Sequence, residues 1–292
     1  MLPGQLEDEL CQILSRYRGE AVSMFAPSAV GGGSINHALK IRTTAGHFFL
    51  KYNDNGRYPG MFEAEAKGLK LLSAAASMKV PEVIATGVSG NTAWLLLEYV
   101  ETGPEKPYFW EDFGQSLAAL HAHSAEKFGL DHDNYIGSLA QSNKSHDSWV
   151  SFFTGERLIV QTRLARDAGL LDRSQLQAFD RLYIRLDDIF PEEPPALLHG
   201  DLWSGNYLSG AHGKACLIDP AVYYGHREMD IAMTRLFGGF HFNFYAAYTK
   251  SWPLEAGWQA RVEICNLYPL LVHLNLFGSG YLGSIQSVLR KF

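Results

Sequence analysis

Apolar residues recur at helical spacing near the start of the chain, with Leu6, Leu10, Ile13 and Leu14 sharing one face just after Pro3. An amphipathic helix is predicted there. The pattern then shortens. Segments Val22 to Val30, Ala38 to Arg42 and His47 to Tyr52 are rich in β-branched or aromatic residues and are separated by glycine-containing turns, which predicts an antiparallel meander. A helix is predicted from about Phe62 to Ser77, and two more strands, Glu82 to Val88 and Ala93 to Tyr99, flank the turn residues SGN. Residues 1–100 therefore predict a five-stranded sheet with one inserted helix.

The texture changes after Glu101. TGPEKP has the character of a linker, and from Glu111 onward helical periodicity dominates, with Phe113, Leu117 and Leu120 on one face. The expected architecture is α+β and two-lobed: a small antiparallel β lobe with one main helix over residues 1–100, and a larger, mostly helical lobe over 101–292. Between Pro191 and Asp219 the helical pattern lapses into PEEPP, short apolar runs and glycine turns, and chemistry tends to sit in such interruptions.

Composition narrows the partners. At 292 residues the chain is long enough for two compact lobes, and 47% hydrophobic with 19% charged residues suits a folded enzyme. The formal net charge is -6 and no Lys/Arg block exists, so neither nucleic acid nor an anionic membrane is an expected partner. Cys11, Cys216 and Cys265 are far apart and form no CxxC pair, which fits a reduced, cytoplasmic setting. The opening MLPGQLEDELCQIL is acidic where an export signal needs a positive end and an apolar run, and no stretch of about 18 uninterrupted apolar residues could span a bilayer. A monomer or weak dimer is expected.

The segment LLHGDLWSGNYL, Leu197 to Leu208, followed by ACLIDPAV, Ala215 to Val222, carries the chemistry. An Asp, an Asn five positions later and a second Asp closing an apolar strand are what phosphoryl transfer requires. Asp201 is the expected base for the attacking hydroxyl, and Asn206 and Asp219 supply the hard oxygen ligands that magnesium favours. Gly200 and Gly205 let the loop bend, and His199 is expected to brace it rather than react. The phosphate donor, ATP, needs a cation. Lys51 ends the strand HFFLK, and Glu65 in FEAEAKGL can hold it by an ion pair. Gly31, Gly32, Gly33 and Ser34 form a glycine-rich turn able to bring backbone N–H groups to phosphate oxygens, though no GK[ST] follows to make it a Walker A loop. Adenine is expected against the backbone of Glu98, Tyr99 and Val100 at the end of LLLEYV.

Taken together the residues resemble the fructosamine kinase (ketosamine-3-kinase) family, a branch of the aminoglycoside-phosphotransferase group with a protein-kinase-like fold. The resemblance spans nearly the whole chain and rests on GGGSIN, FFLK, FEAEAKGL, LLLEYV, LAALH, FGLDHDNYIGSLAQSN, HGDLWSGN and IDPAVYYGHREMDIAM. It implies ATP- and Mg2+-dependent phosphorylation of the sugar 3-hydroxyl of ketoamines, free or protein-linked, and so protein deglycation. It also implies Asp201 as base, Asn206 and Asp219 as metal ligands, and Lys51 with Glu65 at the phosphates. Trp203, Tyr224, His226 and Glu228, close to the base in sequence, are expected to contribute to the sugar pocket.

Unlike a protein kinase, the chain follows its metal aspartate with Pro220 and Ala221, and EMDIAMTRLF begins almost at once. That leaves no space for a phosphorylated activation segment, and Asp230 is expected to support the catalytic loop. Two alternatives remain open at this point: another small-molecule kinase acting on an aminoglycoside, choline-like alcohol or sugar, and a nucleotide-binding module without catalysis.

Overall fold

The computed structural model describes residues 4–31, 35–75 and 78–292. Helix α1 (Gly4–Arg18) buries Leu6, Leu10 and Leu14 completely, as their spacing requires. They pack with Ile41, Phe48, Leu50, Trp94 and Leu96 of the sheet. Strands β1 (Ser28–Ala29), β2 (His37–Thr43), β3 (Gly46–Asp54), β4 (Val83–Ser89) and β5 (Thr92–Glu98) form one antiparallel five-stranded sheet in the order β1-β2-β3-β5-β4. The inserted helix, α2 (Met61–Ala75), joins β3 to β4. Residues 76 and 77, the end of the predicted helix, lie outside the described residues.

One expected strand is much shorter than its sequence suggests. Of Val22 to Val30, only Ser28 and Ala29 pair with β2, and Met24 makes a single bridge to Thr43. Pro27 lacks the N–H that a continuous ladder needs there, so the segment stays extended without pairing throughout.

The chain leaves the sheet at β5 and enters α3 (Phe109–His121), whose Phe113, Leu117 and Leu120 are buried as predicted. A short hairpin, β6 (Asn134–Ile136) with β7 (Leu139–Gln141), precedes α4 (Trp149–Phe152). A π-helical turn (Phe153–Leu158) connects this to α5 (Ile159–Asp167), and α6 (Arg173–Ile189) follows. Next come β8 (Ala196–Leu198), β9 (Tyr207–Ser209), β10 (Ala215–Leu217) and β11 (Tyr223–Gly225). They form two antiparallel pairs, β8 with β11 and β9 with β10. Because β8 leads into residues 199–206 and β10 leads into Asp219, this nesting brings the loop and that aspartate together. The remainder is helical: α7 (Glu228–Met233), α8 (Phe242–Ser251), α9 (Trp258–Cys265), α10 (Leu267–Phe277) and α11 (Leu282–Leu289).

The two halves share a core. Phe62, Leu69, Leu95 and Leu97 from the sheet side cluster with Phe113, Leu117, Leu217, Val222 and Phe244 from the helical side. At Gly68 on α2, a Cβ would lie 3.1 Å from Val222 Cγ2, so the missing side chain is what lets the helix close on the strand after Asp219.

Candidate active site

The loop between β8 and β9 is built around a buried carboxylate. Asp230, at the start of α7, accepts hydrogen bonds from the backbone N–H groups of His199 (2.7 Å) and Gly200 (2.9 Å). His121 Nε2 lies 3.2 Å from the same carboxylate, and Tyr248 contacts the other ring nitrogen at 2.8 Å. Burial acts to raise the Asp230 pKa, but His121, His199 and the Gly200 N–H outweigh it and hold the carboxyl below its ordinary value. Gly200 has φ +84°, and a Cβ there would fall 2.1 Å from the Ala221 carbonyl oxygen, so only glycine fits.

His199 is fully buried and donates from Nε2 to the Ile218 carbonyl at 2.9 Å, while its Nδ1 accepts from Asp201 N–H at 3.3 Å. Burial lowers its pKa, consistent with a neutral ring carrying its proton on Nε2. It ties the loop to the strand that ends in Asp219, as expected, and touches no reacting position.

Five side chains predicted from separate motifs converge. Lys51 Nζ lies 2.7 Å from Glu65 Oε1 and 2.7 Å from Asp219 Oδ1. Burial opposes the charge on Lys51, yet Asp219 and Glu65 more than compensate and raise its pKa. Asn206 spends its amide nitrogen on Asp201, donating to the backbone carbonyl at 2.8 Å and to Oδ2 at 2.9 Å. Burial pushes the Asp201 carboxyl up to about 7; Asp219 and Asp230 add to the rise and Asn206 opposes it. Asp219 itself sits at φ 54°, a left-handed conformation that costs a non-glycine residue on the order of 1 kcal/mol.

The donor set fits a magnesium ion shared with phosphates. With its nitrogen committed, Asn206 has its amide oxygen left to offer, and Asp219 keeps one carboxylate oxygen beyond the one that meets Lys51, with 47% of its side chain exposed. Among the described residues no group of three or more His, Cys, Asp or Glu side chains is placed to hold a metal alone. Two protein oxygens completed by phosphate and water is the arrangement magnesium commonly takes.

These residues line a cleft of about 610 Å³ between the sheet and the helical half. At one end, Val30, Ala38, Leu97, Leu208 and Ile218 make an apolar slot bounded by Glu98, Tyr99 and Val100. The Glu98 carboxylate faces away from that task, since it binds Lys79 Nζ at 2.5 Å and the Glu82 N–H at 3.2 Å. Gly31 lines the cleft, whereas Gly32, Gly33 and Ser34 lie outside the described residues.

Of the four residues expected at the sugar pocket, Trp203 lines the cleft and three do not. His226 is fully buried among Trp149 and Phe190. Glu228 forms a buried bidentate ion pair with Arg261, at 2.6 and 2.7 Å. Tyr224 sits mid-strand in β11, opposite Leu197, half-buried against the core shared by the two halves. Proximity in sequence misled here because β11 runs away from the cleft. The opposite wall comes from residues to which the sequence assigned no role at the site: Tyr135 to Gly137 in the hairpin, and Tyr268, His273 and Phe277 on α10.

A family model described as fructosamine kinase matches residues 6–292. A protein of Enterococcus faecium described as a probable ketoamine kinase is 41% identical over 265 residues, covering 90% of this chain and 94% of that one. A protein-ribulosamine 3-kinase of Arabidopsis thaliana, described as chloroplastic, is 37% identical over 279 residues, covering 94% and 84% of the two chains. Among solved structures, a Thermobifida fusca protein assigned as a fructosamine-3-kinase superposes with a TM-score of 0.86 at 34% identity, covering 97% of this chain and 98% of the other. The α+β, protein-kinase-like fold expected from the sequence is borne out.

Proposed function

The chain belongs to the fructosamine kinase family, ATP-dependent phosphotransferases that act on a sugar-derived hydroxyl, and on that premise we propose that it phosphorylates the 3-hydroxyl of ketosamines such as ribulosamines and fructosamines. The observation that supports this most is the convergence of Lys51, Glu65, Asp201, Asn206 and Asp219 at one end of a single cleft. In this reading residues 1–100 bind the nucleotide and 101–292 carry the catalytic loop and the acceptor pocket.

Each residue has a task that its surroundings suit. Adenine enters the apolar slot and meets the backbone of Glu98 to Val100. Gly31 lines the phosphate end of the cleft, and Lys51, positioned by Glu65, neutralises the phosphate charge. Asp201 accepts the proton of the attacking hydroxyl, and its raised pKa gives it a basicity suited to neutral pH. Asn206 fixes the carboxylate by hydrogen bonding to it. Asn206 and Asp219 would hold magnesium, which when bound spreads the negative charge of the transferring phosphoryl group. Asp230 sets the loop, and Trp203 contributes a ring beside the base.

Incubation with ATP, magnesium and a ribulosamine or fructosamine should release ADP well above the rate with ATP alone. ADP release with an aminoglycoside or a choline-like alcohol, and none with any ketoamine, would reject the proposal.

A further inference from the structure

The acceptor half of the cleft carries more than phosphoryl transfer needs. From the catalytic loop, aromatic rings follow one another towards the surface. Trp203 meets Phe237 edge-on with centroids 5.9 Å apart, and Phe237 meets His273 at 4.8 Å. His273 in turn meets Phe277 at 5.5 Å and Tyr281 at 5.0 Å. Trp203, His273 and Phe277 line the cleft itself, and Phe277, at the end of α10, is 53% exposed.

This file of rings is uncharged. His273 donates from Nδ1 to the Pro269 carbonyl at 2.7 Å, and burial lowers its pKa. Lys51 is the only Lys or Arg among the described residues lining the cleft, and Glu65 and Asp219 both hold it. Asp201, Asp219 and Asp230 line the same space. A carboxylate entering the file of rings would meet no Lys or Arg side chain to receive it, whereas a flat or aliphatic group would meet ring surfaces.

Resting on the ketoamine reading, we propose that this file is the subsite for the substituent on the ketoamine nitrogen, selecting an uncharged alkyl or aryl group over one that bears a carboxylate. In a ketoamine the nitrogen is three bonds from the carbon that carries the 3-hydroxyl. With that hydroxyl at Asp201, the nitrogen falls near Trp203, two residues along the same loop, where a protonated amine finds a ring face. Its substituent then runs along His273, which Phe237 backs, and reaches solvent at Phe277. The methylene stem of a lysine side chain meets this description, and the open end accommodates the polypeptide that bears it. An adduct on an α-amino acid does not, because its carboxylate follows the nitrogen directly.

The test compares kcat/KM for the ribulosamines of benzylamine, methylamine and glycine, using the wild-type protein, Phe277→Ala and Phe277→Lys. Because Phe277 is half exposed, these substitutions spare the core. The benzyl adduct should be preferred to the methyl adduct and the glycine adduct should be poorest. Phe277→Ala should shrink the benzyl-to-methyl ratio by between about threefold and tenfold, the range expected for loss of an aromatic contact. Phe277→Lys should move the preference towards the glycine adduct. Equal values for the three adducts, or ratios that neither variant moves, would overturn the subsite while leaving the ketoamine reading intact. Failure of all three to release ADP would overturn that reading, and this inference with it.

Discussion

Asp201 and Asp219 are two carboxylates in one cleft whose surroundings suit them to different work. Asp201 is held by Asn206 with its pKa pushed up to about 7 by burial, while Asp219 leaves nearly half its side chain open and binds Lys51. Removing the proton acceptor should spare binding. Asp201→Asn is expected to lower kcat by about two to four orders of magnitude, the scale of a lost general base, with nucleotide affinity changed by no more than a few-fold when measured by calorimetry. Lys51 has two carboxylate partners and the phosphates have one lysine, so the pair should respond unequally. Steady-state kinetics of Lys51→Met should show a larger loss of kcat/KM for ATP than Glu65→Gln, because the latter leaves Asp219 to position the ammonium.

At the scale of elements, the catalytic loop is a hydrogen-bonded unit rather than a free turn. Asp230 satisfies two backbone N–H groups of the loop and contacts His121 from α3, so three elements depend on one buried carboxylate. Asp230→Ala should therefore destabilise the fold, leaving buried donors unsatisfied at about 1–3 kcal/mol each, and denaturant titration should register the loss. This brace was legible in the sequence because the residues after Asp219 leave no room for an intervening segment. The acceptor wall was not. LYPLLVHLNLF is apolar around its whole circumference, so periodicity alone cannot distinguish Tyr268, His273 and Phe277 from core positions. Nor could sequence show that YYGHREMD turns inward. There Arg227 grips Glu193 at 2.7 Å and stacks over Trp252 at 4.2 Å, and Glu228 clasps Arg261, so the motif anchors β11 and α7 to the C-terminal helices. The same limit applies to Val22 to Val30, whose composition is strand-like although Pro27 interrupts its pairing.

For the molecule as a whole, the cleft is set by a core that crosses from α2 and β5 into α3, β10 and α8. Separate motifs over residues 51–219 could be assembled from sequence because each carries a required residue type; the shared core, formed by ordinary apolar residues, had no such marker. A second whole-molecule property is acid sensitivity. Burial holds His226 below its ordinary pKa of 6.5, against the pull of Glu228 and Glu193. The folded ring stays neutral while the unfolded chain takes up a proton below about pH 6.5, so stability is greatest above that pH and falls as pH drops through it. This contribution to the melting temperature should decline between roughly pH 7 and 5, partly offset by Asp201, whose raised pKa favours the folded state as pH falls. The melting temperature of His226→Gln should therefore fall less with acid than that of the wild type.

The proposed reaction moves phosphate, within this cleft, from ATP to one particular hydroxyl of a ketosamine. Phosphorus and proton NMR of the product formed from ATP, magnesium and a ribulosamine reads that directly. A single phosphomonoester coupled to the proton on sugar carbon 3 is expected, formed about two to four orders of magnitude more slowly when Asp201→Asn replaces the wild-type protein. A phosphate on another hydroxyl, or the same product formed at an undiminished rate by that variant, would contradict it.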